Sequence, residues 1–89
     1  MVIKKEMILR KIGSDIILVP VGNALMEHNG MFMLTESAGF LWEKLPQCDT
    51  VQDLAQALFD EYEVTPEQAL NDAQEFVNNL SQLGIIDKE

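Results

Sequence analysis

MFMLTESAGFLWEKL, residues 31–45, is the stretch on which the fold turns. Four apolar residues, Met31, Phe32, Met33 and Leu34, read as a strand. Phe40, Leu41 and Leu45 then recur at helical spacing around the only tryptophan, Trp42. Between the two patterns stand Thr35 and Glu36. Thr35 is a natural N-cap, because its side-chain oxygen can accept from a free N–H of the first turn. Glu36 sits favourably at the positive end of the helix dipole. The spacing predicts a strand running into a helix over 36–45 with almost no loop between them. Pro46 ends that helix, since the residue before a proline is held away from helical backbone angles.

Upstream, two runs rich in β-branched residues, MILRKI and DIILVPV, are separated by Gly13-Ser14, a strong hairpin signal. A two-residue loop pairs Ile12 with Asp15, Arg10 with Ile17 and Ile8 with Val19. Leu9, Lys11, Ile16 and Leu18 then share the other face. Neither face is purely polar, so the pattern leaves open which one is solvated. Pro20 ends the second strand or marks its edge, having no N–H for a ladder. Residues 24–28 read as loop or as the arm of a second hairpin through Asn29-Gly30. The preferred count is three strands, with a fourth left open. Residues 1–6 are polar and predicted to fray.

Downstream, Thr50 caps a second helix, with Asp53 in the capping-box position. Val51, Leu54, Ala55, Leu58, Phe59 and Tyr62 form its apolar stripe. A third helix starts at Thr65, with Pro66 at the first helical position and Gln68 completing the box. It is predicted to reach about Leu83, with Gly84 as the left-handed residue after its end and Ile85 as the apolar contact that follows. Ala69, Leu70, Ala73, Phe76, Val77, Leu80 and Leu83 make its stripe, about 140° wide on a wheel of about 100° per residue. Phe76 and Leu83 lie on one margin, Leu70 on the other, and Asp72 and Asn79 just outside the Phe76 margin. That margin is wider than one small sheet needs. Strands first and helices after argue α+β, a three-stranded antiparallel sheet followed by three helices packed on one face.

The chain of 89 residues suits a single domain spanning 1–89, small enough that only about 60–65% of the unfolded surface is buried. No apolar run approaches the ~18 to 20 residues of a membrane span, and no signal-peptide cleavage site follows the basic, apolar start. With Cys48 as the one cysteine, this points to a cytoplasmic protein. Cys48 reads as a neutral filler. The net charge is −9, and residues 50–89 hold Lys88 alone against nine acidic residues. Nucleic acid would be repelled, because affinity for a phosphate backbone depends on Lys and Arg releasing counterions. A winged-helix DNA-binding protein, the alternative from another class, would read with the third helix. That helix has Glu67, Asp72 and Glu75 and no Lys or Arg.

Searches for chemistry return little. The glycines fall in separate turns or, for Gly39, alone in a helix, so there is no phosphate loop. His28 and Cys48 are each the only one of their kind, so no metal set can be assembled and no cofactor is expected. The acidic residues lie on outer helix faces, and nothing reads as an enzyme. What remains is the strand at 31–34, where methionines flank Phe32. Such a strand is either a covered central one or an adaptable open edge awaiting a partner strand.

The residues LTESAGFLWEKL, then T-V-x-x-L with ALFDEYEV downstream, then a long helix ending LSQLGII, resemble the PqqD family over roughly 8–86. Thr35 stands where the family usually has Asn, another good N-cap. These small proteins are also called RiPP recognition elements. The resemblance implies a winged-helix-like fold and binding of the leader of a ribosomally made precursor peptide, added as a strand to the third strand in a groove against the third helix. It implies a peptide site at Gly30, Met31, Phe32, Met33 and Leu34, with Asp72, Phe76 and Asn79 opposite. It further implies a modifying enzyme as partner, often a radical S-adenosylmethionine enzyme, acting in trans. The protein itself would be a monomer, or a homodimer through its open edge.

Overall fold

The computed structural model describes residues 1–22 and 31–87. The strands are β1 (Val2–Ile3), β2 (Met7–Ile12), β3 (Asp15–Pro20), β4 (Phe32–Leu34) and β5 (Ile86–Asp87). The helices are α1 (Glu36–Lys44), α2 (Val51–Glu61) and α3 (Pro66–Gln82), with a 3-10 turn at Leu45–Gln47 after α1. The fold is α+β. β2, β3 and β4 form an antiparallel sheet in that order, and the three helices follow.

The hairpin register is the predicted one, with Ile12 opposite Asp15, Arg10 opposite Ile17 and Ile8 opposite Val19. β4 continues it, placing Leu34 opposite Ile16 and Phe32 opposite Leu18. The structure resolves which face is covered. Leu9, Leu18, Phe32 and Leu34 pack into the helical core, while Ile8, Ile12 and Met33 on the other face are 41%, 60% and 67% exposed. β4 has β3 on one side and, among the described strands, none on the other. The segment 24–28, the candidate for a fourth strand, lies outside the described residues.

The junction between β4 and α1 is a single residue. Thr35 caps α1 in extended conformation, its hydroxyl oxygen accepting from the Ala38 N–H at 3.1 Å. Gly39, Leu41 and Trp42 are buried beneath it, and Phe40 meets Tyr62 edge-on at 5.5 Å. α2 buries Leu54, Ala55 and Leu58, whereas Phe59, at the margin of the predicted stripe, is exposed. α3 buries Ala69, Ala73, Phe76, Val77 and Leu80. Of the residues at the margins of its stripe, Leu70 at 39% and Leu83 at 42% are exposed, while Phe76 is buried. After α3 the Gly84 N–H donates to the Ser81 carbonyl and the Ile85 N–H to the Leu80 carbonyl, each at 3.0 Å. With Gly84 at φ +74°, this is a Schellman stop, and it drives Ile85 into the core.

The amino-terminal residues do not fray. β1 pairs antiparallel with β5, Val2 opposite Asp87 and Ile3 opposite Ile86, and the Lys4 N–H donates to the Ile85 carbonyl at 2.7 Å. The Met1 nitrogen donates to the carbonyls of Leu45 and Cys48. The physical reason is Ile85-Ile86. Two fully apolar residues after the helix stop need cover, and Ile3 and Met1 pack against the same core.

Candidate functional site

A groove of about 540 Å³ opens between β4 and α3. One wall is Phe32, Met33 and Leu34, continued through Thr35 into Ser37 and Ala38 of the first turns of α1. That continuity follows from the loopless junction, which sets the start of α1 beside the strand. Leu18 of β3 and Leu41 of α1, both buried, contribute to the apolar lining. The opposite wall is Asp72, Glu75, Phe76, Asn79, Leu80 and Leu83. Spacings of three and four residues make these a single stripe of α3 facing the strand. Phe76 and Leu80 are also core residues, so the groove borders the core directly.

Among the described residues the charged side chains of the groove, Asp72 and Glu75, are of one sign, beside the neutral Thr35, Ser37 and Asn79. Asp72 is oriented by the Gln68 side-chain amide, which donates to Oδ1 at 2.8 Å. Among the described residues neither Asp72 nor Glu75 has a cationic partner, and the Lys11–Glu43 pair at 3.5 Å involves no groove residue. Cys48 lies elsewhere, buried in the core. Burial first, and the Asp53 carboxylate second, raise its thiol pKa above the ordinary value, which favours the neutral thiol. Among the described residues no three His, Cys, Asp or Glu side chains gather as a metal site requires, and no helix is long and apolar enough to cross a membrane.

Of the residues expected at a peptide site, Phe32, Met33, Leu34, Asp72, Phe76 and Asn79 all line this groove. Met31 is exposed immediately before β4 and is not part of the lining. Gly30 lies outside the described residues. Sequence reasoning missed Glu75, Leu80 and Leu83 as wall residues. Leu83 carried a signal, sharing the Phe76 margin of the wheel, and Glu75 follows Asp72 at helical spacing. Ser37 and Ala38 carried none, because their role depends on how α1 and α3 are placed across the groove.

The family model for PqqD, coenzyme PQQ synthesis protein D, matches residues 17–86, from within β3 to the start of β5. Among solved structures, that of TbiB1 in complex with the TbiA(beta) leader peptide superimposes with a TM-score of 0.73 at 17% identity, covering 100% of this chain and 98% of that one. At that identity the likeness speaks for the fold. No match is found among curated proteins. With the family model spanning most of the chain and the sheet-then-helices architecture shared with TbiB1, this protein belongs to the PqqD family.

Proposed function

We propose that this protein binds the leader segment of a ribosomally made precursor peptide, taken up as an added strand along β4 in the groove against α3, and presents it to a separate modifying enzyme. The observation that carries the reading is the groove itself. Among the described strands β4 is the last of the sheet, and it faces α3 across a lining that mixes apolar side chains with a few polar ones, the geometry in which backbone ladder bonds supply affinity and alternate side chains supply specificity. TbiB1, which shares the fold, was solved with a leader peptide. The peptide contacts Phe32, Met33 and Leu34 on one side and Asp72, Phe76 and Asn79 on the other, with Gly30 and Met31 extending the strand edge. The enzyme partner is of the radical S-adenosylmethionine class, the 89 residues form one domain, and the work is done in the cytoplasm. DNA reading is disfavoured by α3, whose groove face bears Asp72 and Glu75.

Titration of labelled leader peptides from short reading frames beside the gene tests this. A Kd below about 100 μM, near −5.5 kcal/mol, is expected for one of them. Asn79→Trp, which puts bulk into the groove from an exposed position, abolishes that binding while the circular dichroism spectrum is unchanged. Absence of any binding leader, or undiminished binding to the Asn79→Trp variant, refutes the proposal.

A further inference from the structure

The groove has two different ends. Asp72 and Glu75 stand on the part of α3 nearer its start, and Leu80 and Leu83 on the part nearer its stop. The midpoints of these pairs are eight residues apart, about 12 Å at a helical rise of ~1.5 Å. An extended chain spans that distance in about four residues at ~3.3 Å each. Residues i and i+4 of a strand fall on the same face, so one peptide can address both ends at once. Among the described residues the wall across from α3 supplies no counter-charge, being Phe32, Met33 and Leu34 followed by Thr35, Ser37 and Ala38. Both charged side chains of the lining are therefore carboxylates. Gln68 occupies Oδ1 of Asp72 and fixes its orientation without neutralising it.

Resting on the reading of the groove as a peptide site, we infer that the bound segment carries a lysine or arginine and, about four positions away on the same strand face, a large aliphatic side chain. The basic residue meets Asp72 and Glu75. The aliphatic residue enters between Leu80 and Leu83. An acidic residue in place of the basic one would meet two carboxylates and be rejected.

Selection of short random peptides displayed on phage against the immobilised protein tests this. Peptides eluted by the wild-type protein and not retained by Asn79→Trp are expected to share a Lys or Arg spaced about four residues from Leu, Ile or Val. A synthetic consensus peptide is expected to lose about tenfold in affinity against Asp72→Asn/Glu75→Gln, and raised salt is expected to narrow that difference. Asp72→Lys/Glu75→Lys reverses the preference toward acidic peptides. Asp60→Asn/Glu61→Gln, which removes equal charge outside the groove, leaves the affinity within about twofold. Groove-dependent peptides without a shared basic residue, or equal weakening by the Asp60/Glu61 variant, overturn the inference while leaving peptide binding in place. Recovery of no groove-dependent peptide overturns both.

Discussion

Gly39 shows how much a single residue can carry here. A Cβ at this position would stand 3.0 Å from Cγ2 of Ile16, where α1 crosses β3. Ile16 is branched at Cβ and stiff about χ1, so its methyl group has little freedom to retreat. Gly39→Ala gains about 1 kcal/mol in helix propensity but overpacks a contact whose relief costs about 1–3 kcal/mol. The expected net is a loss of about 1 kcal/mol. Gly39→Val, with a second methyl group and poorer helix propensity, is expected to lose about 3 kcal/mol. Urea unfolding midpoints measure both, and a Gly39→Ala protein more stable than wild type would show that Ile16 yields. The sequence marks Gly39 only as a glycine alone in a helix. Its purpose depends on a segment more than twenty residues earlier, which local pattern does not reveal.

At the scale of elements, the two long helices begin differently. At the start of α2 the Thr50 hydroxyl accepts from the Asp53 N–H at 3.1 Å, and Asp53 Oδ2 accepts from the Thr50 N–H at 3.3 Å. Asp53 also accepts from the Asp49 N–H at 3.2 Å. At the start of α3 the exchange is one-sided. Thr65 accepts from the Gln68 N–H at 3.1 Å, while the Gln68 side chain turns forward to Asp72. Asp53→Ala is therefore expected to cost about 1 kcal/mol, and Gln68→Ala within about 0.5 kcal/mol, both read from denaturant unfolding. Equal losses would mean that Gln68 caps its helix in solution. The contrast also marks what was legible. The hairpin register, the caps and the Schellman stop each depend on residues a few positions apart, and all were readable in order. The spacing puts Gln68 in the box position as it does Asp53, but at Gln68 the reciprocal bond is not made, because a carboxylate one turn on takes up its amide. The margin of α3 facing β4 was legible because a wheel needs only one helix. Its neighbours on α1 were not, because their place depends on packing.

For the whole molecule, the feature least visible in the sequence is the pairing of β1 with β5, between residues some 84 positions apart. Its strands are two residues long, too short for any periodicity to announce. Val2 and Asp87 are ladder partners, which sets their Cα atoms about 5 Å apart. The backbone at residue 87 thus returns to where residue 2 stands, and the order in which the elements between them are strung is separable from their arrangement in space. Joining residue 87 to residue 2 through a short Gly-Ser linker and opening the chain between Gly13 and Ser14, at an exposed turn with open space around Gly13, makes a permuted protein. It is expected to fold with the same helical content and to keep the groove intact, with a lower melting temperature because β2 and β3 no longer close a local loop. Circular dichroism on heating measures this, and a permuted chain without cooperative melting would show that the hairpin must form first. The groove borders neither the join nor the cut. A second polypeptide could therefore be grafted at either place without its linker passing over the groove.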